Sequence, residues 1–218
     1  MRLARCVAVG EPRAALVYVT GAGEGDPLDA LRGMTDIGFV FAETEVADWD
    51  RDLSPWPAPP AFGKVPFGGQ ARGTLEWILS EALPRLDPAL PRVIGGYSLA
   101  GLFALWAHYE CDAFDAVVAA SPSVWYPGWD AYADAHAPRG AAYLSLGKQE
   151  PRTRNRQMAT VGDAIRRQAD RFRSIPSILE WNEGNHFAEP EVRMAKGFEW
   201  ALRTIAGNGI KRIQSTEK

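Results

Sequence analysis

Cysteine is scarce in these 218 residues. Cys6 and Cys111 are the two present, and they form no C-x-x-C pair. That excludes a disulfide framework and a thiolate metal cluster. Long apolar runs are missing too. No stretch approaches the roughly 20 apolar residues that a membrane span requires. The first residues, Met1-Arg2-Leu3-Ala4-Arg5-Cys6, have no long apolar segment behind their charges, which argues against a signal peptide. A reducing, cytoplasmic setting is therefore the expectation. Charge of one sign is also lacking. The net charge is −3 and the basic residues are dispersed, which argues against a nucleic-acid or anionic-membrane partner. Histidine occurs three times, at His108, His136 and His186, with no H-x-H or H-E-x-x-H pair. No metal and no cofactor are expected. The sequence carries no signal of oligomeric state.

Apolar residues, by contrast, are plentiful enough for one large core. Residues 13–20 read as a buried strand that enters the Gly-rich loop Gly21-Ala22-Gly23-Glu24-Gly25. Residues 37–42 read as a second core strand. Residues 49–66 carry Pro55, Pro57, Pro59, Pro60 and Pro66 among Trp49, Trp56 and Phe62, so they read as a loop crossing the surface. Residues 70–86 show helical spacing, with Pro84 in the last turn. Strands are expected at 92–96, 114–120, 141–146 and 174–181. Helices are expected over 99–110, around Met158 to Phe172, and around Met194 to Ile205. This alternation predicts an α/β fold: a mostly parallel sheet, covered by helices on both faces, in a single domain of residues 1–206. Residues 207–218 read as a polar tail that frays.

Gly96-Tyr97-Ser98-Leu99-Ala100-Gly101 falls between a strand and a helix. A nucleophilic serine needs this context, a sharp turn with small residues two before and two after it. Gly96 and Ala100 meet that demand. The N–H of Leu99, at a helix start, is a candidate oxyanion donor. A second donor is expected from the loop at Gly21 and Ala22, whose small residues allow close approach. The alternative for Ser98 is a helix N-cap.

A serine nucleophile needs a base. His108 lies on the same helix as Ser98, and His136 sits in a polar stretch. His186 follows the last strand and so returns to the sheet edge that carries Ser98. The acid should follow the strand between them, where Leu146-Gly147-Lys148-Gln149-Glu150 ends in a carboxylate. Ser98, Glu150 and His186 then form a candidate catalytic triad. The alternative for Glu150 is an acid that starts a helix. Trp49, Trp56, Trp125, Tyr126 and Trp129 fall in loops expected at this edge. They either wall an apolar pocket or pack among themselves.

Several of these stretches together resemble the esterase D-like branch of the α/β-hydrolases, which includes siderophore esterases of the enterobactin type. They are the elbow around Ser98, the segment Ala120-Ser121-Pro122-Ser123-Val124-Trp125-Tyr126, the turn ending at Glu150, and Gly184-Asn185-His186-Phe187. Arg51-Asp52-Leu53-Ser54-Pro55 is similar to an Asp-Leu-Thr-Pro element of that branch. The resemblance implies an α/β-hydrolase fold and a serine esterase acting on a small to medium carboxylic ester through an acyl-serine. Tyr97 and Arg51 join Trp56 and Trp125 as candidate substrate-binding residues. Thr20-Gly21 replaces the branch's usual Asp-Gly, and any extra N-terminal strands should be missing or abbreviated. Siderophore specificity is not implied, because residues 49–69 differ most. An acyltransferase, or an inactive binding module on the same fold, remains the alternative.

Overall fold

The computed structural model describes residues 1–208. Within them a seven-stranded sheet is built from β1 (Arg2–Val9), β2 (Pro12–Gly21), β3 (Gly38–Val46), β6 (Arg92–Tyr97), β7 (Ala116–Ala120), β8 (Ala141–Gly147) and β9 (Ser177–Asn182). Its order is β1-β3-β2-β6-β7-β8-β9. All neighbouring pairs run parallel except β1 with β3. Two short strands, β4 (Pro57–Ala58) and β5 (Phe67–Gly68), pair separately. The helices are α1 (Leu28–Met34), α2 (Trp49–Asp52), α3 (Ala71–Trp77), α4 (Ser98–Glu110), α5 (Trp129–Asp134), α6 (Val161–Arg171) and α7 (Pro190–Asn208).

Strand periodicity splits the core into two layers. On β2, Ala15, Val17 and Val19 face one side, while Ala14, Leu16 and Tyr18 face the other. On β8, Ala142, Leu144 and Leu146 oppose Ala141 and Tyr143 in the same way. The first layer is closed by α3, α4, α5 and α6, through residues such as Leu75, Phe103, Trp129 and Ile165. The second is closed by α1 and α7, through Leu31, Met194 and Phe198. Both faces being covered explains why the central strands read as unbroken apolar runs rather than as alternation.

One expectation needs correction, and one strand was not foreseen. No strand was read before residue 13, yet β1 is eight residues long, and alternate residues are exposed along it. Its less exposed side carries Leu3, Arg5, Val7 and Val9, and Arg5 pairs with Asp26 and Glu43 and lies 5.5 Å from the Phe41 ring centre. The expected helix over 70–86 is regular only to Trp77. It then widens into a π turn at Ile78–Ala82 and tightens into a 3-10 turn at Leu83–Arg85. Pro84 has no N–H to give, so a regular α-helix cannot run through it. The last helix, α7, runs to Asn208. The rest of the polar tail lies outside the described residues. Among the described residues, no helix is long and apolar enough to cross a membrane.

Phe198 on α7 is fully buried and meets Tyr18 and Phe41 edge-on, with ring centres 6.2 and 6.1 Å away. Phe198→Ala is expected to destabilise the domain by about 3–5 kcal/mol, read by urea denaturation.

Candidate active site

The C-terminal ends of the parallel strands share one edge of the sheet, and ligand sites of open α/β sheets form there. β6 ends at Tyr97 and α4 begins at once with Ser98. That abrupt change of direction requires Ser98 to adopt a left-handed backbone, φ 57°. It also brings Gly96 against the next turn. A Cβ on Gly96 would come within 2.4 Å of the Ala100 carbonyl oxygen, so only glycine fits. The second small position, Ala100, is fully buried in the same turn.

Glu150 lies three residues beyond β8, and His186 four beyond β9. The fold brings them to Ser98 in one row. Ser98 Oγ is 3.0 Å from His186 Nε2, and His186 Nδ1 is 2.8 Å from Glu150 Oε2. A carboxylate beside Nδ1 holds the ring proton there and leaves the Nε2 lone pair facing the Ser98 hydroxyl. Burial raises the Glu150 carboxyl, but the bonds from His186, Ser121 and the Gly147 N–H outweigh it and hold it below the ordinary 4.5. A hydroxyl, an imidazole and a buried carboxylate in this order can make an oxygen nucleophile and store its proton.

The other two histidines are elsewhere. His108 is buried on α4, with Nε2 2.9 Å from the Arg139 carbonyl oxygen, and burial lowers it to about 4. His136 stacks on Tyr132 at 4.1 Å between ring centres. Among the other acids weighed, Asp163 pairs with Arg166 and Glu183 with Lys148 at the surface.

The row opens onto a cavity of about 700 Å³. Trp49, Phe62, Phe67, Leu99, Trp125, Met158, Val161 and Phe187 make most of its wall apolar. Asp50 and Arg152 are the charged side chains that line it outside the Ser98 row. Asn155 on one rim donates to the Ala61 carbonyl on the other at 2.5 Å, which ties the two loops together.

Of the expected substrate-binding residues, Trp125 lines the cavity. Three others do not. Trp56 packs outward on Tyr126 and Tyr132 and donates its indole N–H to the Pro127 carbonyl. Arg51 pairs with its neighbour Asp52 at 2.7 Å and borders a separate surface hollow. Tyr97 turns its hydroxyl to the His186 carbonyl at 2.7 Å, beneath the site. Of the expected oxyanion donors, Leu99 lines the cavity, while Gly21 and Ala22 do not. Gly21 instead lies against the Trp49 ring, 3.0 Å from where its Cβ would be. Tyr126 and Trp129 are buried packing residues, as the alternative reading had it.

Two residues near the row were not singled out from sequence. Ser121, φ 46°, donates to Glu150 Oε1 at 2.7 Å. It stands in the first segment after β7 that carried the resemblance, and this position was its signal. Arg193 on α7 is 2% exposed and lies 3.2 Å from the same oxygen. Its helix-face position alone reads as a solvated charge.

No protein-family model matches the chain, and no curated protein matches it by sequence. Solved structures do match in three dimensions. An IroE-like serine hydrolase from Shewanella oneidensis aligns with a TM-score of 0.71 at 15% identity, over 87% of this chain and 70% of the other. The siderophore hydrolase EstA from Aspergillus nidulans aligns at 0.65 and 18%, over 88% and 84%. The enterobactin esterase FES from Shigella flexneri aligns at 0.67 and 17%, over 92% of this chain and 55% of its own. The chain has the α/β-hydrolase fold. In that fold the Ser98 turn, the Glu150 turn and the His186 loop follow each other in the chain order serine, acid, histidine.

The Glu150 shift has a consequence for stability. A carboxyl held below its ordinary value favours the folded state above about pH 4.5, and loses that contribution as pH falls through its folded value. Glu150→Gln should therefore be less stable than wild type near neutral pH. The gap should narrow steadily on acidification, as followed by denaturant titrations at stepped pH.

Proposed function

We propose that the chain is a serine esterase that hydrolyses a small to medium carboxylic ester through an acyl-serine intermediate. The observation that carries this reading is the unbroken row Ser98–His186–Glu150, at 3.0 and 2.8 Å, open to an apolar cavity.

In this reading His186 Nε2 takes the hydroxyl proton as Ser98 Oγ attacks the ester carbonyl. The charge that develops on the carbonyl oxygen meets the Leu99 N–H and the positive end of α4. Glu150 stabilises the imidazolium. His186 then returns the proton to the departing alcohol, which leaves the acyl group on Ser98. Water, deprotonated by His186 in its turn, attacks the acyl-serine and frees the acid. The cavity volume suits a small-molecule substrate. Its aromatic walls, Trp49, Phe67 and Trp125, favour an apolar acyl group. Two proteins of similar fold, one named a siderophore hydrolase and one an enterobactin esterase, support the reaction class. Their substrates remain theirs.

The test is labelling with a fluorophosphonate, together with turnover of p-nitrophenyl esters of graded chain length. Ser98→Ala should abolish labelling and lower kcat by about 10⁴-fold or more while leaving the denaturation midpoint near wild type. Wild-type turnover in that variant overturns the mechanism. Trp125→Ala should raise KM for apolar esters. Trp56→Ala should lower Tm by several degrees and leave the chain-length preference unchanged. A comparison of the two variants over the ester series checks that assignment.

A further inference from the structure

The loop that carries His186 has no strand or helix to hold it. Instead, five consecutive carbonyl oxygens, from Asn182 to His186, each accept a hydrogen bond from outside the loop. The Lys148 N–H donates to Asn182 at 2.9 Å, and the Gln149 N–H donates to Gly184 at 3.0 Å. Arg193 Nη2 donates to Glu183 at 2.8 Å and to Asn185 at 2.9 Å. Tyr97 donates its hydroxyl to His186 at 2.7 Å. The other terminal nitrogen of the same guanidinium, Nη1, lies 3.2 Å from Glu150 Oε1, 3.1 Å from Ser121 Oγ and 3.1 Å from the Tyr97 hydroxyl. One buried side chain therefore touches the acid, the loop of the base, and the tyrosine that holds the base's own backbone.

The packing around it leaves little freedom. A Cβ on Gly147 would lie 3.0 Å from Arg193 Nη2 and 2.7 Å from the Gly184 carbonyl oxygen, so the turn before Glu150 closes directly on this clamp. Arg193 is itself 2% exposed. Its planar fork presents donors in two directions at once, which a lysine ammonium on a flexible stem cannot reproduce.

We infer that Arg193 is the positioning residue of this site. It fixes the His186 loop and the Glu150 carboxylate relative to each other, with its guanidinium 3.2 Å from Glu150 Oε1 and 2.8 and 2.9 Å from two carbonyls of the loop. The inference rests on the serine-esterase reading above. The charged and titratable groups that face Glu150 are His186 on the loop, Arg193 on α7 and Tyr97 at the end of β6. Catalysis needs Glu150 ionised and His186 neutral. Loss of the Arg193 charge removes a cation 3.2 Å from the Glu150 carboxylate and favours its protonated form, which cannot stabilise the imidazolium. That change moves the acid limb of kcat/KM to higher pH.

Arg193→Lys keeps the charge and loses the fork, while Arg193→Gln loses both. Fluorophosphonate titration counts active sites in each preparation, and kcat, KM and the pH profile are then taken per titrated site. Arg193→Lys should lower kcat at least about 10-fold with KM within about threefold and the acid limb unmoved. Arg193→Gln should lower kcat further and move the acid limb up by about half a pH unit or more. A residue that only supports folding would reduce the titre and Tm but leave kcat per titrated site intact. That result, or an unmoved limb in Arg193→Gln, overturns the inference. If Arg193→Gln does not fold, wild-type kcat in Arg193→Lys overturns it alone. Failure of the wild-type protein to label at Ser98 would instead bring down the esterase reading, and this inference with it.

Discussion

A left-handed backbone at Ser98, φ 57°, lets β6 stop and α4 start without an intervening residue. Such a conformation is costly for a residue with a side chain, and the surroundings have to hold it. Here Gly96 and Ala100 hold it, because the crowding of the turn leaves no room for anything larger. The turn points the serine hydroxyl out of the sheet while the first N–H groups of α4 remain unused by the helix. Ser121, φ 46°, repeats the device at the end of the neighbouring strand β7. There its hydroxyl donates to Glu150. Two serines with left-handed backbones, each just past the end of one of two adjacent strands, thus share the floor of the site.

Burial has opposite uses on the two sides of this floor. Glu150 is 8% exposed, and burial by itself disfavours its charged form. Its oxygens are divided between partners. Oε2 takes the imidazole, while Oε1 takes the Ser121 hydroxyl, the Gly147 N–H and Arg193. A buried charge persists only when it is paired and fully hydrogen-bonded, and this one is. The cavity on the other side is lined mainly by aromatic and aliphatic groups. Asp50, Arg152, Gln149 and Asn185 add a few polar groups to that wall.

The aromatic residues near the site divide by what covers them. Trp49 and Trp125 line the cavity, while Phe62 and Phe187 stand at its rim, 56% and 84% exposed. Trp56, Tyr126, Trp129 and Tyr132 form a packed group behind that wall, braced against α5 and joined to the wall by Tyr126, whose ring centre lies 5.0 Å from that of Phe67. Tyr126 donates to the Trp56 carbonyl at 2.6 Å, and the Trp56 indole donates to the Pro127 carbonyl at 2.8 Å. The first group can meet a substrate. The second keeps the wall in place.

Local pattern was enough to read the alternation of strands and helices, the elbow at Ser98, and the order serine, acid, histidine. These depend on period, on small residues at fixed offsets, and on position after a strand, all of which are written along the chain. β1 escaped because its less exposed face, Leu3, Arg5, Val7 and Val9, is interrupted by a charge whose partners, Asp26 and Glu43, are distant in sequence. Arg51, Tyr97 and Trp56 were placed by neighbourhood in sequence, but the direction of a side chain is set by what packs against it. Arg193 was invisible for the same reason. On one helix it is an ordinary arginine. Only when α7 docks under the sheet edge do the carbonyls of one loop and the carboxylate of another converge on its two terminal nitrogens. The residue types and their order came from the sequence alone. Which of them touch, and which charge is sealed beneath the site, was decided by tertiary packing, because those contacts join residues whose separation along the chain carries no local signal.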